Sequence, residues 1–229
     1  MRMRQIIRTS SLDRHVHAAP YAALILAGGY EEAGDQGRFR VNAGDVIFHD
    51  AFEAHLDRFL KREAIVLNLR LAPTSCYTIG FGRVRDPDRV VRVAETDRNA
   101  AADLLLSSSI SGAPQLADWP DELAARLLEC PAVKLSAWSE QKGIAPWTIS
   151  RGFVQVFGVS PEAFRARVRA QKAWKAVQGT TVSLAAIAAE LGFADQAHMT
   201  RSVKALTGHA PQAWRSAANR FKTGGRRPA

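Results

Sequence analysis

The stretch GFADQAHMTRSVKALTG, residues 192–208, begins and ends with glycine and has helical periodicity between the two. Its apolar residues Met199, Val203 and Leu206 recur at the spacing of one helix face, which we expect to be buried. The residues at the centre of the opposite face are Ala197, Arg201 and Lys204. On an ordinary surface helix such a face is simply solvated. A functional interpretation must therefore explain observations that solvation alone does not.

The stretch belongs to an internal repeat. RGFVQVFGVSPEAF (151–164) and RSVKALTGHAPQAW (201–214) both read Arg, six residues, Gly, two residues, Pro, two residues, aromatic. Gly143 and Gly192 stand 8 and 9 residues before the two arginines. The pattern predicts a unit made twice: a short helix, a glycine turn, a second helix, a glycine stop and a helix opened by proline. Helix–turn–helix units of this kind bind DNA, and a helical repeat built for packing alone is the alternative.

Charge is divided unevenly along the chain. Residues 1–130 hold 16 Lys and Arg against 18 Asp and Glu, a net charge of −2. Residues 131–229 hold 15 against 4, a net charge of +11. This segregation favours a polyanionic partner for the C-terminal part, whereas packing alone does not explain it. The alternative is a generically basic, solvated surface.

The composition indicates a soluble globular protein of 229 residues in one or two domains. No run of 18 apolar residues exists, so we expect neither a membrane span nor a membrane partner. The basic N-terminus lacks the apolar segment of a signal peptide. Cys76 and Cys130 stand far apart and outside any CxxC motif, which favours free thiols in a reducing cytoplasm.

The residue pattern favours β-strands in the first half of the chain and helices in the second half. Short apolar runs at 21–30, 37–50 and 64–73, separated by turn residues, predict a small barrel or sandwich. From about Thr96 the sequence becomes rich in Ala and Leu, which favours helices. Ser160 is a good N-cap before a helix that runs to 177, and Ser183 is another before an apolar helical run.

The first copy of the repeat also predicts a two-faced helix, starting at Pro146. The residues of its apolar face are Ile149, Phe153, Val156 and Phe157. Its other face exposes Trp147 beside Arg151, which an ordinary soluble surface has little reason to do. In a major groove, an indole offers apolar contact and Arg donates two hydrogen bonds to guanine.

The stretch IAAELGFADQAHMTRSVKALTGHAPQAWR, residues 187–215, resembles the signature of the AraC/XylS family of bacterial transcription regulators. The shared features are Ile-Ala, Gly-Phe, a polar helix with Arg, and Gly-x-x-Pro-x-x-aromatic-Arg. The resemblance covers about 133–215. It implies an all-α domain that binds double-stranded DNA through two helix–turn–helix subdomains, joined by a long helix at about 161–177.

The resemblance also implies which residues touch DNA. Base contacts are expected from Trp147, Ser150, Arg151, Gln196, His198 and Arg201. Contacts with the DNA backbone are expected from Thr200, Lys204 and Arg215. The first subdomain departs from the family pattern at Trp138, Ser139, Lys142, Gly152 and Val154, and Val203 replaces the usual Phe in the second. We therefore expect the first subdomain to be less stable, or to bind less tightly, than the second.

Many members of this family carry a small cupin-like β-barrel in front, followed by helices that dimerise. RHVHAAPYAALILAGG (14–29) and NAGDVIFHDAFEAH (42–55) resemble weak versions of the two cupin motifs. The residues expected to line an effector pocket are His15, His17, Tyr21 and His55. Three imidazoles would suit a transition metal, but Tyr21 occupies the place where metal cupins usually carry Glu. We therefore expect no metal and no cofactor.

These features together predict an α+β chain: a cupin-like sensor and dimerisation domain at 1–130, a DNA-binding domain at 131–218, and a basic, disordered tail at 219–229. The predicted function is a cytoplasmic, sequence-specific transcriptional regulator that is not an enzyme. Its expected partners are double-stranded DNA, a small-molecule effector, RNA polymerase and a second copy of the chain in a homodimer. The alternative is a metal-dependent cupin enzyme fused to a DNA-binding domain.

Overall fold

The computed structural model describes residues 4–59, 63–72, 80–112, 118–130 and 133–224. The chain divides into two compact units. The first comprises Met1–Glu122 with Phe153–Gly158, and the second comprises Leu123–Gly152 with Val159–Ala229. The division between Glu122 and Leu123 precedes the boundary that the sequence predicts after residue 130.

The first unit is a β-domain with two long helices. Its strands are β1 (Arg4–Ile7), β2 (Ser11–Val16), β3 (Tyr21–Ala27), β4 (Gly29–Gly34), β5 (Gly37–Asn42), β6 (Asp45–His49), β7 (Ala54–Phe59), β8 (Ala64–Arg70), β9 (Phe81–Val84) and β10 (Ser109–Ser111). Its helices are α1 (Pro87–Thr96) and α2 (Arg98–Ser108). The strands pair antiparallel in two sheets, ordered β1-β8-β3-β6-β9-β10 and β2-β7-β4-β5. This arrangement confirms the predicted β-rich N-terminal part, whereas its assignment as a cupin stays a prediction.

Strand β3 is buried on both faces, which explains its unbroken apolar run. Ala22 and Leu24 belong to one core, together with Ala101 and Leu105 of α2. The alternate residues of β3 face a second core, which they share with residues of β4 and β5. Because α2 uses its apolar residues in this packing, little of its apolar surface remains for the dimer contact that the sequence predicts.

The sequence pattern does not predict helix α1. The Ala- and Leu-rich sequence that favours helices begins at about Thr96, and α1 ends at that residue. The signal is nevertheless present in the sequence. Pro87 occupies the first turn, and the carboxylate of Asp86 accepts a hydrogen bond from the amide of Arg89 at 2.9 Å. An Asp N-cap followed by Pro is a common way to start a helix.

The second unit is helical. Its helices are α3 (Trp119–Glu129, which starts in the first unit), α4 (Leu135–Lys142), α5 (Pro146–Phe157, whose C-terminal half is assigned to the first unit), α6 (Pro161–Gly179), α7 (Leu184–Glu190), α8 (Gln196–Thr207) and α9 (Pro211–Gly224). The long helix α6 packs against α7, α8 and α9. Among the described residues, no helix combines the length and apolar character needed to cross a bilayer.

The predicted repeat is confirmed. The glycines that turn and stop the helices have left-handed backbones, with φ of 64° at Gly143, 71° at Gly158, 71° at Gly192 and 80° at Gly208. Prolines at 161 and 211 then open α6 and α9. The hydroxyls of Ser160 and Ser183 cap α6 and α7 as expected, each accepting from an amide at 3.2 Å.

The C-terminus differs from the prediction of a disordered tail that starts at residue 219. Helix α9 continues to Gly224, and residues 225–229 lie outside the described part of the chain.

The glycine turn of the second repeat yields a stability prediction. A Cβ at Gly192 would meet no atom within 4 Å, so its φ of 71° is the main obstacle to substitution. We expect Gly192→Ala to lower the free energy of unfolding by about 1–2 kcal/mol, because an L-residue is disfavoured in the left-handed region. Urea unfolding of the full chain, followed by circular dichroism, measures the change.

Gly179 is the matched control, since a Cβ there also meets no atom within 4 Å and the residue ends α6 without a left-handed backbone. Gly179→Ala should leave stability unchanged or raise it by up to about 1 kcal/mol. Equal destabilisation by the two substitutions would contradict the role assigned to φ.

Candidate functional site

Helix α8 has one buried and one exposed face. Met199 and Val203 are completely buried and Leu206 is half-buried, so the predicted core face is confirmed. The exposed residues of the opposite face are Ala197, Arg201 and Lys204. Residues spaced by four and three positions lie on one side of a helix, so these three side chains form a single surface.

The cations on this surface are uncompensated. In the part of the chain that the structure describes, the side chains of Arg201 and Lys204 make no hydrogen bond or ion pair. Gln196, in the first turn of α8, is also exposed and its amide group is unengaged within the same residues. The face thus presents unused hydrogen-bond donors and two positive charges beside the small side chain of Ala197.

The start of α8 is fixed by the residues just before it. The Asp195 carboxylate accepts a hydrogen bond from the amide of His198 at 2.6 Å and caps the helix. Arg169 of α6 donates a hydrogen bond to the carbonyl of Gly192 at 2.9 Å. The guanidinium carbon of Arg169 also lies 5.4 Å from the ring centroid of Phe193, and burial lowers the pKa of this arginine. These contacts hold α6, the turn and α8 in one arrangement.

His198 and Thr200 are only half-buried and flank the exposed face. The imidazole of His198 lies edge-on to Phe193, with ring centroids 5.3 Å apart and an interplanar angle of 90°. His198 thus packs on the turn, and its base contact stays a prediction.

Helix α5 exposes the corresponding face of the first repeat. Trp147 is 64% exposed, and the guanidinium carbon of Arg151 lies 6.0 Å from the indole centroid, one helical turn away. Ser150, beside them, is exposed too. The predicted apolar residues of α5 are buried at Ile149, Phe153 and Phe157 and half-buried at Val156. A cation at this distance from an indole is weakly attracted to it, which favours one orientation of both side chains.

Two departures from the family pattern in α4 have local partners. The Ser139 hydroxyl is buried and donates a hydrogen bond to the carbonyl of Ile144 across the glycine turn. Lys142 lies with its ammonium 6.0 Å from the ring centroid of Trp138. Because the Ser139 hydroxyl is hydrogen-bonded and Lys142 is exposed to water, neither residue gives a physical reason for the lower stability that the sequence predicts for the first subdomain.

Arg215 has a different environment from the one predicted. Its Nε donates to the carbonyl of Val177 at 3.3 Å and one terminal nitrogen to that of Val182 at 2.7 Å. These carbonyls lie near the end of α6 and in the loop after it, so Arg215 fastens that segment. The structure therefore gives Arg215 a packing role, and its contact with the DNA backbone stays a prediction.

A second candidate site lies in the first unit, where the four predicted pocket residues meet. The imidazoles of His15 and His55 have centroids 4.3 Å apart, and those of His15 and His17 are 5.1 Å apart. The Tyr21 hydroxyl lies 3.3 Å from Nε2 of His55. All four residues line a cavity of about 130 Å³. This volume is below the 300 Å³ or more that is usual for drug-sized ligands.

Sequence reasoning missed the buried acids and the further histidine beside this pocket. His49, Glu32 and Asp57 are all buried. Burial lowers the pKa of His49 to about 3 and raises that of Asp57 to about 7. Burial likewise raises the pKa of Glu32 well above its ordinary value and lowers that of His55 well below. The strand pairing sets Glu32 of β4 opposite Asp57 of β7, and this register is not readable from one sequence.

A larger cavity of about 840 Å³ was not predicted either. It lies in the first unit, near β9 and the start of α1. Its lining includes apolar residues and three arginines: Leu26, Val91, Ile110, Arg4, Arg83 and Arg85. Arg83 pairs with Asp45 at 2.7 Å, whereas Arg85 has no hydrogen bond or ion pair within the described residues.

Comparisons with known proteins concern mainly the helical unit. A family model described as a helix-turn-helix domain matches residues 138–217. The search of curated proteins gave no match. The chain is similar to the solved structure of a probable AraC family transcriptional regulator from Rhodopseudomonas palustris, with 25% identity, 43% of this chain and 92% of that chain covered, and a TM-score of 0.38.

Two further solved structures are similar at lower identity. One is the DNA-binding domain of AdpA in complex with a target DNA, at 20% identity, with 48% of this chain and 100% of that chain covered and a TM-score of 0.43. The other is ToxT from Vibrio cholerae with bound unsaturated fatty acid, at 11% identity, with 92% of each chain covered and a TM-score of 0.43. With TM-scores below 0.5, these similarities leave the family match and the geometry of the site as the evidence for function.

The cap of α8 yields a prediction that separates hydrogen bonding from charge. We expect Asp195→Ala to destabilise the chain by about 1 kcal/mol, because the amide of His198 loses its acceptor. Asp195→Asn keeps an acceptor oxygen and should change stability by only a few tenths of a kcal/mol. Urea unfolding midpoints of the two variants decide the matter. Equal losses would mean that the negative charge near the helix N-terminus matters more than the hydrogen bond.

Proposed function

We propose that this chain is a DNA-binding transcriptional regulator of the AraC/XylS family and that it reads its operator through the exposed faces of α5 and α8. Each helix would enter a major groove with the face that its own repeat leaves exposed. The two faces differ in sequence, so the half-site read by one chain should be asymmetric. Major-groove segments one turn apart are separated by about 34 Å, which sets the expected spacing.

The observation that carries this proposal is the uncompensated face of α8. Arg201 and Lys204 are exposed, carry positive charge and make no hydrogen bond or ion pair within the described residues. An ordinary solvated face of a helix gains from pairing its charges with carboxylates three or four positions away. Here those positions hold no carboxylate. They are Ala197, His198, Lys204 and Ala205 around Arg201, and Thr200, Arg201, Thr207 and Gly208 around Lys204. A phosphate backbone supplies the missing negative charge.

The residues of this face suit different parts of DNA. Ala197 has a small side chain, which allows the helix to approach the bases closely. Gln196 can pair with adenine and Arg201 can donate two hydrogen bonds to guanine. Lys204 lies one turn beyond Arg201, where the helix should leave the groove floor, so we assign it to a phosphate.

The first subdomain contributes a mixed surface. The exposed indole of Trp147 can contact a thymine methyl group, and Arg151 beside it can donate to guanine. Ser150 can pair with several bases. We retain His198 and Thr200 as flanking contacts of the second subdomain.

For an effector, we favour the larger cavity of the first unit over the pocket predicted from the sequence. The pocket around His15 and His17 holds about 130 Å³, which is enough for only a few atoms. The cavity of about 840 Å³ combines apolar walls with three arginines and the carboxylate of Asp88, so its lining is net positive and suits an apolar molecule that carries a negative charge. Binding there would affect β9 and α1, both of which line it.

The remaining parts of the proposal have less direct support. A homodimer and a contact with RNA polymerase are common requirements of such regulators, but α2 and α3 bury much of the apolar surface that suggested the dimer. We also propose that the protein acts in the cytoplasm and is not an enzyme.

Substitutions on α8 test the operator-reading role. Arg201→Ala should weaken binding to the operator by about 1–3 kcal/mol and relax preference at one base position. Lys204→Ala should weaken binding to all sequences alike and reduce the log–log salt slope by about 1. The measurement is fluorescence anisotropy with single-base operator variants at two salt concentrations, after genome-wide mapping of bound sites has supplied the operator.

Arg92→Ala is the matched control, because it removes an exposed arginine from α1 in the other unit. It should leave affinity and selectivity unchanged. Identical selectivity in wild type and Arg201→Ala would contradict base reading, and unchanged binding in both α8 variants would mean that the face is merely solvated.

The effector cavity is tested independently of DNA. Straight-chain and aromatic monocarboxylates should raise the melting temperature of the full chain, whereas the matching uncharged amides should not, because the arginines favour an anion. Arg85→Ala should reduce this shift, and Arg92→Ala should not. The cavity would not select for charge if acids and amides shifted the melting temperature equally. The same would follow if Arg85→Ala and Arg92→Ala reduced the shift equally.

A further inference from the structure

A second set of possible ligands lies deeper than the predicted pocket, between the two sheets of the first unit. Glu32 of β4 and His55 of β7 belong to the four-stranded sheet, and His49 ends β6 of the six-stranded sheet. Each of the three is at most 3% exposed. One ligand atom from each residue lies within 4.8 Å of the others.

We propose that Glu32, His49 and His55 bind a divalent transition-metal ion of the zinc class, which joins the two sheets. Imidazole nitrogens and a carboxylate oxygen are the donor set that zinc and its neighbours accept in proteins. The site does not involve the DNA-binding face, and it stands whether or not the proposed operator-reading role is correct.

The spacing of the ligand atoms supports this assignment. Nε2 of His49 lies 3.5 Å from Oε2 of Glu32. Two ligands bound to zinc at about 2.0–2.1 Å in a tetrahedral arrangement are about 3.3 Å apart. The pair is therefore already close to the separation that one shared ion requires, and the third ligand needs only a side-chain adjustment.

The outer contact of His55 is also that of a metal ligand. His55 has Nδ1 buried without a hydrogen-bond partner, while its Nε2 lies 3.3 Å from the Tyr21 hydroxyl. Nδ1 is thus the nitrogen that we assign to the metal. Nδ1 of His49 lies 3.9 Å from Oε1 of Glu53, which leaves Nε2 to face Glu32. Metal-bound histidines usually hold their second nitrogen with a carboxylate, carbonyl, hydroxyl or water. The Tyr21 hydroxyl does so for His55, whereas the 3.9 Å between Nδ1 of His49 and Glu53 is too long for a hydrogen bond.

A carboxylate oxygen without a hydrogen-bond partner, Oδ1 of Asp57, also belongs to the environment of Glu32. Asp57 lies directly opposite Glu32 in the pairing of β4 with β7, and its Oδ1 is buried without a hydrogen-bond partner. An unpaired polar atom in a protein interior is costly, and a carboxylate beside another carboxylate more so. A dication held by the three inner residues would ease the repulsion that the Asp57 carboxylate exerts on Glu32.

The outer triad of His15, His17 and His55 is the competing location, and it shares His55 with the inner one. It contains no carboxylate to balance the charge of the ion. His15 and His17 are only half-buried, and Nδ1 of His15 is already 2.8 Å from the carbonyl of Asp13. These features favour the inner triad, and they revise the expectation from sequence that this domain holds no metal.

The test uses the full chain without an affinity tag, stripped with a chelator and then equilibrated with Zn²⁺ or Co²⁺. Wild type should bind about one ion per chain, and Co²⁺ should give the visible absorption of a site with fewer than six ligands. Glu32→Gln should reduce affinity by more than ~100-fold, since losing even an outer contact of a ligand typically costs about 10–100-fold. Glutamine has nearly the same shape as glutamic acid, so the metal-free fold should survive.

His15→Gln is the matched control, because His15 touches the ring of His55 yet lies outside the inner triad. It should keep the affinity of wild type within about twofold. His49→Gln, with circular dichroism of each metal-free variant, guards against a loss of binding through misfolding. Absence of stoichiometric binding in wild type, full binding by a folded Glu32→Gln, or loss in His15→Gln alone would each overturn the proposal.

Discussion

The hydrogen bond from Arg169 to the carbonyl of Gly192 fixes the orientation of the helix that presents the candidate DNA-binding face. Gly192 has a left-handed backbone, and this turn sets the direction in which α8 leaves α7. Arg169 comes from the middle of α6 and also lies against Phe193, so one side chain ties the connecting helix to the turn. The burial of a guanidinium is costly, and the carbonyl and the aromatic face offset only part of that cost, since Nε of Arg169 is buried without a hydrogen-bond partner. If this contact were absent, α8 would still pack against α6 through its buried face, but the turn before α8 would lose one of its ties to α6.

The helical unit could be predicted in detail because its signals are local. Left-handed glycines, capping serines and prolines that open helices act within a few residues of where they stand, and the burial of Met199 and Val203 follows from spacing alone. The β-domain could be predicted only in outline. Apolar runs indicated strands, but the meeting of Glu32, His49 and His55 depends on how distant strands pair. The hydrogen-bond acceptors of Arg169 and Arg215 could not be predicted from the sequence either, because each arginine donates to a carbonyl more than twenty residues away.

The two units handle charge in opposite ways. In the helical unit, long cationic side chains of α5 and α8 stay in water, where a charge costs little and remains available to a polyanion. In the β-domain, acids and imidazoles are withdrawn from water, and burial shifts each toward its uncharged form. The contrast is physically consistent with two kinds of partner: a large, highly charged one met at the surface, and a small one that must enter an interior. The proposed operator reading should therefore depend on salt more strongly than the proposed binding of a small molecule does.

The open space around the turn glycines has a consequence for their chemistry. A Cβ at Gly143, Gly192 or Gly208 would meet no atom within 4 Å, although all three have positive φ. At these turns the positive φ disfavours L-residues, whereas the space around the residue does not limit the size of its side chain. A D-alanine, whose mirror-image preference matches a positive φ, would fit each turn and restrict the unfolded chain more than glycine does. At these three turns the repeat thus depends on glycine because ribosomal synthesis supplies no D-residue, and not because the turns lack room for a side chain.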